Sequence, residues 1–299
     1  MIEVKHLTKR YGRGSLALDY LSLRLNKRIT SILGRNGAGK TTLMRILSTQ
    51  LLPTSGTAAI NQLDVVKDAW LVRDMISSIP QEAKPMNIET PYGHISMYLT
   101  ARGIPASEID KLTEKALRDL DLWRFRDKST GDLSGGMRRK VFVAMALASK
   151  ADVVFLDEPT TGLDPISRLE VWSAIKKLKS STILITTHYM EEAKELSDEV
   201  VLIDEGRKVA QGSVPNLLSR FNGKTRVEGP KGKYRIGTTY ISYVKPADAR
   251  RLVRKGYSTK EASLEDLFIV NGGGLIEQNG GDTVESEGDI IEPGDMIES

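Results

Sequence analysis

The residues Gly34-Arg35-Asn36-Gly37-Ala38-Gly39-Lys40-Thr41 carry the spacing G-x-x-x-x-G-K-[ST]. Glycines let a backbone bend round an anion where a Cβ would clash. Free N–H groups ahead of a helix form an anion site. In such a loop Gly34, Asn36, Gly37, Ala38 and Gly39 supply the cradle. Lys40 neutralises β- and γ-phosphates, Thr41 ligates Mg2+, and Thr42 is free to donate to an α-phosphate. A glycine turn that happens to precede Lys-Thr is the bland alternative. The β-rich run before the loop and the helical pattern after it favour the phosphate reading.

A second chemical group lies at the end of Val153-Val154-Phe155-Leu156-Asp157-Glu158. Ligands collect at such strand ends in open α/β sheets. Asp157 is placed to hold Mg2+, directly or through water, and Glu158 to orient and deprotonate an attacking water. Leu133-Ser134-Gly135-Gly136-Met137 opens a further helical stretch. Ser134, Gly135 and Gly136 could form a second anion site there, or Ser134 could be a plain helix cap.

Positioning these groups requires an α/β sheet. Residues 29–33, 153–156 and 182–186 are continuous β-branched and apolar runs, as in parallel strands covered on both faces. Helical patterns at 107–121, 137–149, 166–178 and 189–196 alternate with them. The early runs 1–7 and 16–25 look antiparallel. Residues 85–130 show helical patterns without a convincing strand, which predicts a helical insertion, part of a helical subdomain at about 85–150. The expected class is therefore α/β: a P-loop NTPase sheet core with an antiparallel β subdomain and a helical insertion over 1–215. A small basic α+β appendage over 216–270 and an acidic, Gly-rich tail over 271–299 follow. The tail's composition predicts disorder.

Taken together, the motifs resemble the ATP-binding cassette (ABC) ATPase family, specifically a transporter's nucleotide-binding subunit. The matching segments are GRNGAGKTT at 34–42, Gln81, LSGGM at 133–137, VVFLDEP at 153–159, GLDP at 162–165 and TTHYMEEA at 186–193. They span roughly residues 1–215. The resemblance implies ATP and Mg2+ as cofactors. It assigns Tyr11 to stacking on adenine, Gln81 to Mg2+ or the attacking water, Asp164 to communication at a dimer seam and His188 to the γ-phosphate. Plainer readings are a surface tyrosine, a solvated loop glutamine, a helix cap before Pro165 and a structural histidine. With one phosphate loop and one LSGG segment per chain, it further implies a head-to-tail homodimer in which Ser134, Gly135 and Gly136 act in trans. Met137 stands where Gln is usual and Arg35 where Pro or Ser is common; neither removes a catalytic group.

Two segments, TTHYMEEA and Ala262–Phe268, are similar to the multidrug and ABC-2-type exporter branch; an amphipathic terminal helix is the plain reading of the second. The resemblance thus implies an integral membrane permease on a separate chain, with this subunit cytoplasmic and peripheral on the inner face of the cell membrane. The rival reading is a soluble ABC ATPase working on ribosomes or DNA; a third is an ATP-binding regulator without turnover. The runs Met137–Lys140 and Lys176–Lys179 are expected to be solvated helix faces, so no nucleic-acid partner is expected. The N-terminus, Met1-Ile2-Glu3-Val4-Lys5, lacks the apolar core of a signal peptide, and the longest apolar run, Val141 to Ala148, is short of the ~20 residues of a membrane span.

With no cysteine, disulfides and thiolate metal sites are excluded. The formal charge of +4 hides an uneven distribution. Residues 216–270 hold 12 basic and 5 acidic side chains, whereas 271–299 hold eight acidic and no basic ones. The tail could screen the appendage or simply solvate the chain end.

Overall fold

The computed structural model describes residues 1–12, 14–81, 85–178 and 181–271. The acidic tail from residue 272 lies outside the described residues. The chain divides into two units, the first Met1–Val214 and the second beginning at Pro215.

The first unit opens with an antiparallel hairpin, β1 (Ile2–Arg10) and β2 (Leu16–Leu25). Then come β3 (Ile29–Leu33), helix α1 (Lys40–Leu47), β4 (Ser55–Ile60), β5 (Leu63–Asp64), α2 (Ala69–Met75) and β6 (Ile76–Ile79). The helical stretch holds α3 (Pro91–Ala101), α4 (Ala106–Asp119) and α5 (Gly135–Ala148). The unit continues through β7 (Val153–Asp157), α6 (Pro165–Lys177), β8 (Thr182–Thr187), α7 (Met190–Leu196), β9 (Glu199–Asp204) and β10 (Arg207–Gly212).

Six strands form the central sheet in the order β10-β9-β3-β8-β7-β6. All its pairings are parallel except the β9–β10 hairpin. A separate antiparallel sheet has the order β2-β1-β4-β5. Side chains alternate across the pleat. Val153, Phe155 and Leu184 face one core with Leu18, Leu43 and Leu47. Val154, Leu156, Ile183 and Ile185 face the other with Leu99, Leu117, Val141 and Ile175. Both faces are covered, which is why these strands read as unbroken apolar runs. The carboxyl ends of β3, β8, β7 and β6 lie side by side.

The second unit carries α8 (Val214–Leu218), which straddles the boundary, then β11 (Thr225–Gly229), β12 (Tyr234–Ile236), β13 (Thr239–Val244), α9 (Pro246–Val253), β14 (Ser258–Lys260) and α10 (Leu264–Asn271). Its antiparallel sheet runs β12-β13-β11-β14. Its charge is partly internal. Arg226 pairs with Asp266 at 2.8 Å and with Glu228, Lys260 reaches Glu228 at 2.9 Å, and Tyr243 donates to Asp266, which is fully buried. An apolar core alone does not hold α10 in place; Asp266 also accepts from Ser263 N at 2.6 Å.

Candidate active site

The phosphate loop follows β3, a strand buried along its whole length. Arg35, Asn36 and Gly37 form an exposed rim, while Gly34, Ala38, Gly39 and Lys40 are buried. Two of the glycines are required by the chain itself. A Cβ on Gly34 would lie 2.4 Å from Ile203 O, and one on Gly39 (φ +100°) would lie 2.3 Å from Ala17 O. Gly37 has φ +83° but open space around it, so there only the backbone conformation favours glycine. Gly39 also begins α1, whose first N–H groups have no intrahelical acceptor and face the loop.

Lys40 Nζ donates to Gly34 O at 2.8 Å and Arg35 O at 3.0 Å, and lies 4.0 Å from Glu158 Oε1. Burial pulls its pKa down, while Glu158 and Asp157 push it back up. Tyr11, 42% exposed, has its hydroxyl 3.4 Å from Thr42 Oγ1, so its ring stands at the start of α1.

β7 ends in the two carboxylates. Asp157 Oδ1 accepts from Thr41 Oγ1 at 3.4 Å and from Thr186 Oγ1. Glu158, 7% exposed, has φ +49°. That left-handed conformation costs a non-glycine residue about 1–3 kcal/mol and persists only when neighbours enforce it. Here Glu158 N donates to Thr186 O at 3.1 Å and Thr186 Oγ1 at 3.0 Å. The carboxylate is surrounded. Oε2 accepts from Gln81 Nε2 at 3.0 Å and Thr161 Oγ1 at 3.1 Å, and His188 Nδ1 stands 3.3 Å from Oε1. Lys40, Thr41, Gln81, Asp157, Glu158 and His188, drawn from four strand ends, therefore share one site.

The donor set fits a small hard cation. The Thr41 hydroxyl, Asp157 carboxylate and Gln81 amide oxygen are hard oxygen donors, and the Gln81 nitrogen is already engaged by Glu158. Among the described residues no group of three or more acidic, His or Cys side chains could cage a metal unaided. Mg2+ prefers oxygen donors of this kind, keeps few protein ligands and takes the rest from phosphates and water.

Ser134 and Asp164 are set apart as helix caps. Ser134 Oγ accepts from Met137 N at 3.2 Å and is exposed; Gly135 is also exposed and Gly136 partly so. Asp164 Oδ1 accepts from Ile166 N at 3.1 Å and Ser167 N at 3.0 Å, and hydrogen bonds from Ser167 hold its carboxyl below the usual range.

The expectation of solvated faces at Met137–Lys140 is corrected at two positions. Lys140 is 5% exposed and paired with Glu170. The Arg139 side chain turns inward, onto backbone carbonyls of β7's end and of the Gln81 loop. The apolar run from Val141 to Ala148 was the available signal, since a helix apolar all round has no solvent face. Lys176 and Lys177 do make exposed pairs, with Glu195 and Asp119; Lys179 lies outside the described residues.

Two further residues, both inside the TTHYMEEA segment, were given no role of their own from the sequence. Tyr189 stacks against His188, with ring centroids 4.1 Å apart, and lies 5.1 Å from Arg168 on the guanidinium side. Glu192, fully buried, accepts at Oε1 from Thr160 Oγ1 (2.8 Å) and Trp172 Nε1 (3.0 Å), joining the segment after Glu158 to the one after His188. Burial raises its carboxyl above the ordinary value of 4.5, against the pull of those hydrogen bonds and of His188. A raised folded-state value means a contribution to stability that is complete below 4.5 and lost as pH climbs through the raised value. Glu192→Gln keeps the acceptor oxygen and removes the titration. Thermal unfolding without nucleotide should show this variant gaining on the parent as pH rises through that window. Parallel curves would remove Glu192 as the source.

A model of the ABC transporter family matches residues 18–161. The daunorubicin resistance ATP-binding protein DrrA3 of Streptomyces coeruleorubidus is 38% identical over 225 residues, 74% of this chain and 71% of that one. The Nod factor export ATP-binding protein I of Ralstonia nicotianae is 37% identical over 231 residues, 76% of this chain and 72% of its own. Among solved structures, the dimeric bacterial ABC transporter cassette MJ0796 superposes with a TM-score of 0.66 at 25% identity, over 71% of this chain and 98% of that one. With a phosphate loop and two strand-end carboxylates assembled on one sheet edge, and this identity across most of two relatives, the chain belongs to the ABC transporter family as an ATP-binding subunit of the ABC ATPase class.

Proposed function

We propose that the chain powers an exporter: two copies bind ATP head to tail, close on it, and drive a separate integral membrane subunit. The observation carrying the reading is the convergence of Lys40, Gln81, Asp157, Glu158 and His188 on one strand-end site. Tyr11 stacks on adenine. The loop from Gly34 to Gly39 with Lys40, Thr41 and Thr42 holds the phosphates. Thr41, Asp157 and the Gln81 amide oxygen would hold Mg2+, which supplies charge neutralisation on the β- and γ-phosphates. Glu158 takes the proton of a water as its oxygen bonds to the γ-phosphorus and the bond to the bridging oxygen breaks, releasing ADP and phosphate. His188 contacts the γ-phosphate.

The second copy is needed because Ser134 and Gly135 face outward. A Cβ on Gly135 would meet nothing within 4 Å in its own chain. Consecutive glycines weaken a helix start, and a partner's phosphates lying against them is a reason to keep them. Asp164 then caps α6 and faces the dimer seam.

Export is favoured by the relatives, since one is named for drug resistance and another for Nod factor export. No described helix is long and apolar enough to cross a membrane; in the proposed arrangement the transport path belongs to the partner and this subunit sits at the inner membrane face. Tagged chain purified from solubilised membranes should bring down an integral membrane protein whose presence raises ATPase activity. Recovery with ribosomes or nucleic acid instead, lost on adding salt, would favour the soluble rival.

A further inference from the structure

Arg139 lies one turn into α5, the helix that Ser134 caps. A guanidinium has five N–H donors in a rigid planar fork, and this one spends them on five backbone carbonyls from two separate segments. Nη1 donates to Pro80 O at 3.2 Å and Gln81 O at 3.0 Å. Nη2 donates to Asp157 O at 2.6 Å and Glu158 O at 3.0 Å, and Nε to Pro159 O at 3.4 Å. Burial lowers the guanidinium's pKa, and the carboxylates of Asp157, Glu158 and Glu192 draw it back up.

These contacts close a circuit. Arg139 holds the Gln81 carbonyl; the Gln81 side chain donates to Glu158 Oε2 at 3.0 Å; and the Glu158 carbonyl returns to Arg139. The clasped Glu158 peptide is the one in the left-handed conformation, which needs enforcement from outside. Its N–H is held by Thr186 and its C=O by Arg139.

We propose that Arg139 is a positioning residue for hydrolysis: it sets the spacing of Gln81 and Glu158 and ties that spacing to the helix bearing Ser134. The inference rests on the proposed role of Glu158 as base. If Ser134 closes on the nucleotide of a second copy, this side chain passes movement of its helix to the base of its own chain. Closure at one site is then reported to the other by a rigid fork whose donors are all engaged.

The test uses the full chain, with ATPase rates, nucleotide affinity and hydrogen exchange measured on Arg139→Ala and Arg139→Lys. A displacement of about 1 Å at a reacting group costs on the order of a hundredfold in rate. For Arg139→Ala, kcat should fall by about ten- to a hundredfold, with KM and nucleotide affinity changed less than about twofold. Arg139→Lys, a point charge that cannot span both segments, should fall between it and the parent. Guanidinium chloride below denaturing concentrations should restore part of the Arg139→Ala rate. Amide exchange should quicken over 157–163 and at Gln81 and stay unchanged in β1 and β2.

Parental kcat with parental exchange over 157–163 overturns the proposal. So does a loss in which KM and affinity worsen together and guanidinium restores nothing, since that marks a merely structural residue. The function reading is judged separately: if Glu158→Gln hydrolyses ATP at the parental rate the base assignment falls, whereas a dead Glu158→Gln beside an unimpaired Arg139→Ala removes only the clasp.

Discussion

Glu158→Gln is expected to lower ATP turnover by about 10²- to 10⁴-fold, the span of a positioned general base, while ATP still binds. The substitution is nearly isosteric, so its effect is chemical. The amide oxygen can still accept from Gln81 or Thr161, which meet the carboxylate at 3.0 and 3.1 Å. What disappears is the capacity to take a proton from water. The variant also loses a negative charge 4.0 Å from Lys40 Nζ. In a site where Glu158 is 7% exposed, that charge is weakly screened and repels the γ-phosphate. Its removal should tighten ATP binding and hold two copies closed round uncleaved nucleotide. Size-exclusion chromatography with ATP and Mg2+ should then show a dimer that the parent populates only transiently, beside a phosphate-release assay near background. Turnover at the parental rate would transfer the role of base to another group, with His188 the nearest candidate.

The chemistry was legible because it depends on residue type at fixed local spacing. Lys40 and Thr41 follow their glycines directly, and Asp157 and Glu158 end an apolar strand whose two faces are both buried. The sheet followed from the same runs: β7 and β8 alternate between two cores, and polar positions fall only at their ends. What stayed hidden depends on contacts distant in sequence. Arg139 in a Met-Arg-Arg-Lys run looks like a solvated charge until β7's end and the Gln81 loop are folded against it. Glu192 reads as one of two acidic residues at a helix start, yet it lies between Thr160 and Trp172 with no exposure. The short strands β4 and β10 follow the same logic. β4 is half exposed along Ser55–Ile60 and forms by pairing with β1; its own sequence has little of the β-branched density that marks a strand.

The glycines of the phosphate loop lead to the second large effect. In sequence they read as room for phosphates. In the fold Gly39 is also room for Ala17: φ is +100°, and a Cβ there would lie 2.3 Å from Ala17 O and 2.9 Å from Leu18 Cδ2. Carbon and carbonyl oxygen rest near ~3.3 Å, so Gly39→Ala must move the loop or β2 by about 1 Å. β2 cannot yield easily, since it pairs with β1 along its length and Leu18 is fully buried. The loop moves instead, and with it the N–H groups that start α1. A shift of that size should cost about a hundredfold in ATP affinity or turnover, with a loss of stability, read as a fall in Tm, beyond the ~1–2 kcal/mol that a left-handed alanine costs by itself. Gly37→Ala is the control. It shares the positive φ, at +83°, but has nothing within 4 Å of the added carbon, so it should pay the conformational cost alone and retain most nucleotide binding. Nucleotide titration and thermal melts on the two variants separate the causes. Equal losses would mean that backbone conformation dominates, whereas near-parental binding by Gly39→Ala would mean that the close approach to Ala17 does not hold the loop.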